Sequence, residues 1–322
     1  MSLDGKNVFV TGATGMLGGF LVERLVEEGA EVVALVRDDV PKSYFHTERL
    51  DKKTTSVRGG LENYFLVERI LNEYEIDVCF HLGAQTIVPT ANRSPLSTFE
   101  SNIKGTWNIL EAARNSKLLK ALVVASTDKV YGESPTLPYR ETDKLAATHP
   151  YDVSKACADM LCTSYYHTYG LPVAVTRCGN IFGGGDLNFN RIIPGTIRSV
   201  LRNERPVIRS NGKFIRDYVY AGDIADANLR LAEALLAGKE HGEAFNFSWE
   251  QPQSVIEIAK KVLKIMGSKL EPAILNQAAN EIPEQYLSSE KARARLGWKP
   301  EWDFDTGLKK TIEWYKQYLK PA

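Results

Sequence analysis

Apolar residues follow two rhythms along the first half of the chain. Short continuous runs alternate with longer stretches in which apolar positions recur every three or four residues. Lys6 to Thr11, Glu31 to Val36, Asp77 to Leu82, Ala121 to Ser126 and Pro172 to Arg177 are of the first kind. Their length and their lack of polar alternation mark strands covered on both faces. Met16 to Glu28, Asn63 to Tyr74, Pro95 to Asn115 and Tyr151 to Tyr169 are of the second kind. In the first of these helices Leu17, Leu21, Leu25 and Val26 share one face. Such alternation predicts a doubly wound α/β fold, with a parallel sheet between two layers of helices.

After Cys178 the pattern loosens. Gly183-Gly184-Gly185-Asp186 signals a loop. Helices are predicted over Ile192 to Arg202, Asp223 to Ala237, Ser254 to Met266, Ser289 to Leu296 and Thr306 to Leu319, and Arg205 to Ser210 reads as a strand. The expected division is a dinucleotide-binding domain over 1–179 with roughly 214–240. The remainder, roughly 180–213 and 241–322, would form a smaller α+β substrate lobe.

Composition narrows the function classes. The chain has 322 residues, enough for a sizeable core, and 40 basic residues balance 40 acidic ones. Zero net charge speaks against a general nucleic-acid binder, which needs a cationic face. No apolar run approaches the roughly 18–20 residues that span a bilayer, so no membrane partner is expected. Met1 to Lys6 lacks a signal-peptide pattern, which makes a cytoplasmic location the expectation. Cys79, Cys157, Cys162 and Cys178 form no C-x2-C pair, and the five histidines are scattered. Buried free thiols are expected, and a metal site has no support.

Two motifs carry chemistry. Gly12-Ala13-Thr14-Gly15-Met16-Leu17-Gly18 places three glycines between the first strand and the first helix. Gly12 permits the tight turn, Gly15 lets backbone N–H groups approach a pyrophosphate, and Gly18 allows close helix–strand packing. This loop, with Thr14, Met16 and Leu17, is the candidate cofactor site. The second strand ends in Val36-Arg37-Asp38. Arg37 could accept a 2′-phosphate and select NADP; alternatively Asp38 holds a ribose 2′-hydroxyl and selects NAD. The second motif, Tyr151-Asp152-Val153-Ser154-Lys155, puts Tyr151 and Lys155 on one helix face. The ammonium is expected to lower the tyrosine pKa and make Tyr151 a base for an alcohol proton. Ser126-Thr127-Asp128-Lys129 lies at a strand's carboxyl end, where open α/β sheets bind ligands.

With these come Phe80-His81-Leu82-Gly83-Ala84-Gln85, Asn102-Ile103-Lys104-Gly105-Thr106, Arg177-Cys178-Gly179-Asn180, Arg216-Asp217-Tyr218-Val219 and Leu296-Gly297-Trp298-Lys299-Pro300. Over almost its whole length the chain resembles the extended short-chain dehydrogenases/reductases that act on nucleotide sugars. The resemblance implies an NAD(P)-binding Rossmann fold with the cofactor tightly held and recycled. It places Leu61, Leu82, Ala84 and Asn102 near the dinucleotide, with Tyr151 and Lys155. It places Gln85, Thr127, Asn180, Asn190, Arg191 and Arg216 toward the substrate. The two arginines suit its pyrophosphate, because guanidinium pairs with phosphate bidentately. Thr127-Asp128-Lys129 is similar to the CDP-glucose 4,6-dehydratase branch, whereas Arg37 resembles the GDP-mannose 4,6-dehydratases.

The implied reaction is a 4,6-dehydration. Tyr151 takes the sugar 4-hydroxyl proton as C4 is oxidised, water leaves across C5 and C6, and hydride returns to C6. Asp128 would protonate the departing 6-hydroxyl, and Thr127 would bond near the 4-oxygen. Lys129 would be either a neutral base at C5 or a charge stabilising the enolate. The rival readings are a nucleotide-sugar 4-epimerase, a UDP-glucuronate decarboxylase and a non-catalytic dinucleotide sensor. The resemblance also implies a homodimer, with the long helices paired across a two-fold axis.

Overall fold

A computed structural model describes residues 3–277 and 282–320. Met1 and Ser2, the start of the segment read for a signal pattern, lie outside the described residues. Seven parallel strands form the central sheet: β1 (Asn7–Thr11), β2 (Glu31–Val36), β3 (Thr55–Arg58), β4 (Val78–His81), β5 (Ala121–Ala125), β6 (Val173–Cys178) and the strand Ala244–Phe247. Their order across the sheet is Ala244–Phe247, β6, β5, β4, β1, β2, β3. The helices follow as α1 (Met16–Glu27), α2 (Tyr44–Thr47), α3 (Tyr64–Glu73), α4 (Val88–Arg93), α5 (Pro95–Phe99), α6 (Gly105–Asn115), α7 (Pro150–Tyr169), α8 (Ile192–Leu201) and α9 (Ala221–Leu236).

The continuous apolar runs are explained by two cores, one on each face of the sheet. Val8, Val10, Ala34, Phe80 and Val123 turn to one face and pack with Leu21 and Leu25 of α1 and Ile224 and Leu231 of α9. The residues between them, Phe9, Val33, Leu35, Cys79 and Leu122, turn to the other. There they meet Val67 and Ile70 of α3, Ile109 and Leu110 of α6 and Cys162 of α7. With a side-chain period of two, only a strand apolar at every position can serve both layers. The four cysteines are free thiols, three of them buried.

One expectation needs correction and one refinement. The strand Ala244–Phe247 had been assigned to the substrate lobe, but it pairs in parallel with β6 as an edge of the main sheet. It is four residues long and carries a polar Asn246, so it lacks the run that marks its neighbours. Asn246 is buried because the Tyr131 hydroxyl donates to its Oδ1 at 2.7 Å and its own amide donates to the Tyr139 carbonyl at 3.1 Å. The helix expected over Pro95 to Asn115 runs without a break but changes pitch inside. A π-helical turn, Glu100–Lys104, separates α5 from α6. The wider turn brings Asn102 against the loop after β4, where its Oδ1 accepts the Gln85 N–H at 2.7 Å.

Helix α7 is anchored by charge. Tyr151, Lys155 and Asp159 fall at successive four-residue steps on one stripe. Asp159 is buried and accepts from Nε and Nη2 of Arg177 on β6, both at 2.8 Å. Arg177 also donates to the Tyr131 hydroxyl at 2.9 Å. Leu96, Trp107 and Met160 leave apolar side chains in solvent on α5, α6 and α7.

The lobe is built on short pieces. The strand Ile215–Arg216 lies between Gln253–Ser254, antiparallel to it, and Glu284–Gln285, parallel to it. Among the described residues no helix is long and apolar enough to cross a membrane, and no group of His, Cys, Asp and Glu could hold a metal ion.

Candidate active site

Parallel strands bring every carboxyl end to the same edge of the sheet. Along that edge, between sheet and lobe, runs a cleft of about 1500 Å³. Its floor at one end is the glycine loop. Gly12 has a φ of +73°, and a Cβ there would stand 2.8 Å from the Gly83 nitrogen. A Cβ on Gly18 would stand 2.0 Å from the Gly12 carbonyl oxygen. Both positions therefore require glycine. Gly15 caps α1 without a side chain, and the first turn of that helix carries no acidic residue. An open helix N-terminus without a competing carboxylate is a cradle for a pyrophosphate. The residues present thus fit a dinucleotide.

Beneath the floor a buried hydrogen-bond chain joins three elements. The Gly83 N–H donates to Thr11 Oγ1 at 3.0 Å, so the threonine's own proton is left for His81 Nδ1, 2.8 Å away. His81 Nε2 lies 3.0 Å from Thr106 Oγ1, which donates in turn to the Asn102 carbonyl at 2.6 Å. This network assigns the proton of His81 to Nε2. Burial, with the Lys155 charge adding to it, pushes the imidazole down to about 3, so His81 stays neutral.

Tyr151 and Lys155 both line the cleft. The Lys155 ammonium donates to the Ala125 carbonyl at 2.6 Å, and burial pulls it down to about 8. The expected lowering of the Tyr151 pKa is not what the structure gives. Burial pushes the phenol above its ordinary value; the Arg191 charge and a hydrogen bond to Thr127 oppose that without reversing it. The cost of a phenolate without water outweighs its cationic neighbours.

Next to this pair stands the strand-end cluster. Thr127 donates to Asp128 Oδ1 at 3.0 Å, and Lys129 Nζ donates to the same oxygen at 3.1 Å. Lys129 also reaches Asn180 Oδ1 at 3.4 Å and Gln285 Oε1 at 3.5 Å. Three acceptor oxygens thus face the three N–H donors of one ammonium.

The cleft gathers nearly all of the residues expected from sequence. Gly12, Thr14, Gly15, Met16, Leu17, Gly18, Arg37, Leu61, Leu82, Ala84 and Gln85 line one part, and Thr127, Lys129, Tyr151, Lys155, Asn180, Asn190, Arg191 and Arg216 the other. Two do not reach its wall. Asn102 is buried behind it, its amide donating to Ser154 Oγ at 2.8 Å and to the Gln85 carbonyl at 3.0 Å. It braces the loop and α7 from behind the wall. Asp128 is 2% exposed and lies behind Thr127 and Lys129. Several candidates are also engaged with protein. Arg37 donates from Nε to Asp38 at 2.7 Å, Arg191 from Nη1 to Asp186 at 3.0 Å, and Arg216 to the carbonyls of Ile215 and Pro283 at 2.8 and 3.2 Å. Asn190 Oδ1 accepts from Arg209 at 2.5 Å.

Sequence reasoning missed Arg198, Arg205, Arg209 and Gln285, all on the cleft wall. The arginines had a signal, since basic residues recur from Arg191 to Arg209 in a weakly patterned stretch. With them, among the described residues, eight lysines and arginines line the cleft against five acids, Asp38, Glu62, Asp152, Asp186 and Glu204. The site suits a polyanion.

A glycine turn at an open helix N-terminus, with a Tyr/Lys pair one helix face apart at the same sheet edge, defines an extended short-chain dehydrogenase/reductase. The family model described as GDP-mannose 4,6 dehydratase matches residues 9–311, and the chain belongs to that nucleotide-sugar dehydratase/epimerase family. It is 30% identical to a CDP-glucose 4,6-dehydratase of Salmonella typhimurium, over 98% of this chain and 92% of that protein. It is likewise 30% identical to a trifunctional UDP-glucose 4,6-dehydratase of Arabidopsis thaliana, covering 97% of this chain but only 47% of that longer protein. Among solved structures, a UDP-glucose 4-epimerase of Thermotoga maritima is similar with a TM-score of 0.89 at 28% identity. That similarity covers 98% of this chain and all of the other.

Lys155 makes stability depend on pH. Unfolded, it holds its proton to about 10.5; folded, it releases it from about 8. Between those values the unfolded state binds more protons, so the folded state gains stability as pH rises. Lys155→Met removes the cost of burying the charge. Its melting temperature relative to wild type should therefore be highest below pH 8 and should fall steadily toward pH 10 in a thermal-unfolding series. A difference independent of pH would contradict this.

Proposed function

We propose that the protein is a nucleotide-sugar 4,6-dehydratase that converts an NDP-hexose to the NDP-4-keto-6-deoxyhexose. The observation that carries the reading is the Thr127–Asp128–Lys129 cluster at the cleft that Tyr151 and Lys155 line, with Thr127 and Lys129 on its wall and Asp128 bonded behind them. A 4-epimerase uses a Tyr/Lys pair as well but has no task for a proton-donating carboxyl there.

Arg191 and Arg216 hold the substrate's diphosphate, and the sugar lies over Tyr151. A nicotinamide dinucleotide bound on the glycine loop supplies the acceptor and later the donor of one hydride. Tyr151 takes the 4-hydroxyl proton as a phenolate, the form that the Arg191 charge and a bound, oxidised nicotinamide would favour against burial, with Lys155 one helical turn along. Thr127 and the Lys129 ammonium face the negative charge that builds up once C4 is oxidised and C5–H becomes acidic. Lys129, held among three acceptor oxygens, both faces that charge and carries protons to and from C5 and C6. Asp128 supplies the proton with which the 6-hydroxyl leaves as water. Because its carboxyl lies behind the wall, Lys129, 3.1 Å away, relays it: an ammonium proton goes to the departing oxygen, the proton of Asp128 replaces it, and the C5 proton returns to Asp128 by the same route.

The base and sugar are of the CDP-glucose or GDP-mannose type in this reading. Incubation with CDP-glucose, GDP-mannose, UDP-glucose and UDP-N-acetylglucosamine should yield, from one of them, a product 18 mass units lighter. Asp128→Asn should lower that turnover on the order of 100-fold or more. An isomer of unchanged mass and altered retention would establish the epimerase instead.

Arg37, 55% exposed in side chain at the end of β2, favours NADP, while Asp38, bonded to it, offers the alternative contact to a ribose hydroxyl. In a fluorescence titration Arg37→Ala should weaken NADP at least about tenfold and leave NAD within about twofold. Equal changes for both would discard the NADP assignment.

A further inference from the structure

Gln285 stands where the catalytic edge of the sheet meets the lobe. It is the second residue of the strand Glu284–Gln285 and pairs in register with Arg216. It is 1% exposed, yet it forms part of the cleft wall. Its Oε1 accepts from Lys129 Nζ at 3.5 Å. An ammonium offers only donors, so the oxygen must face Lys129, and the orientation of the amide is settled. The NH2 end is then turned away from Lys129. Nε2 is buried and has no hydrogen-bond partner among the described residues.

A buried amide donor without a partner is costly, and folded proteins rarely keep one that nothing uses. The surroundings say what it is for. Arg216, beside it in register, suits the diphosphate. Lys129, bonded to its Oε1, and Asn180, which Lys129 also reaches, line the same cleft as Tyr151. A donor between a phosphate-binding arginine and the reacting carbon's neighbours meets the part of the ligand that joins them, which is the hexosyl group. We propose that Gln285 is a substrate-orienting residue: its Nε2 donates to a hydroxyl oxygen of the hexose, while its Oε1 holds Lys129 in place. This rests on the nucleotide-sugar reading above.

The test compares ligands with and without the sugar. Full-length wild type, Gln285→Met and Gln285→Glu are titrated calorimetrically with CDP and CDP-glucose, UDP and UDP-glucose, dTDP and dTDP-glucose, and GDP and GDP-mannose. The pair that wild type binds is then followed. Gln285→Met, of similar length but without a donor, should lose about tenfold or more in affinity for the nucleotide sugar. Its affinity for the matching nucleoside diphosphate should stay within about twofold, which also shows that the variant is folded. Gln285→Glu keeps an oxygen for Lys129 and removes the donor, so the same gap between the two ligands should appear. Equal losses for both ligands would mean that Gln285 acts on the diphosphate or on the fold, and would overturn the proposal. Undiminished nucleotide-sugar binding in both variants would overturn it too. A wild-type protein that binds none of the four nucleotide sugars would instead overturn the functional reading, and this proposal with it.

Discussion

The buried pair between Asp159 and Arg177 determines where everything else on α7 points. Burying two charges is unfavourable unless their geometry is good, and breaking such a pair leaves an uncompensated charge worth about 3–5 kcal/mol. Here the guanidinium meets the carboxylate through two bonds of 2.8 Å, and its remaining nitrogen is taken up by Tyr131. Tyr131 in turn holds Asn246 on the edge strand. The helix is thereby fixed against β6 in one rotation. One and two turns before Asp159, that same rotation carries Lys155 and Tyr151 to the cleft. A second brace, Asn102 between Gln85 and Ser154, holds the other side of α7 at the same level. Asp159, Arg177 and Asn102 lie outside the cleft lining, yet they fix the position of the two residues that the chemistry needs.

The charge distribution follows from this placement. The chain as a whole is neutral, with 40 basic and 40 acidic residues. Its cleft is not: arginines from β2, the lobe and α8 converge there with Lys129 and Lys155. A dinucleotide and a nucleotide diphosphate each bring negative charge into that space, and a cationic wall in a low-dielectric cleft attracts both. Lys155 is the exception in kind. Its ammonium is buried and drawn down toward neutrality, so it responds to its surroundings, whereas the arginines stay charged.

What could be read from the chain, and what could not, divides by range. The strands β1, β2, β4, β5 and β6 were legible because burial on both faces leaves a continuous apolar run. The glycine loop and the Tyr151/Lys155 spacing were legible because their geometry is set within seven residues and one helical turn. The strand Ala244–Phe247 was not, since its place depends on Tyr131 and Tyr139 more than 100 residues away. Asn102 and Asp128 were recognised as site residues, but their depth was not, because only tertiary packing decides which of two adjacent polar side chains faces the cleft. The Tyr151 pKa was misjudged for the same reason: the spacing shows the lysine but not the loss of water. Gln285 left no local mark, coming from a two-residue strand whose partner is Arg216.

In the proposed reaction one cleft oxidises C4, eliminates across C5 and C6, and returns the same hydride to C6. The most direct measurement supplies the nucleotide sugar with deuterium at C4 and locates the label in the product by NMR. The deuterium should appear in the new C6 methyl group, with the C4 carbonyl retained. Deuterium found back at C4 of an isomeric sugar would contradict it.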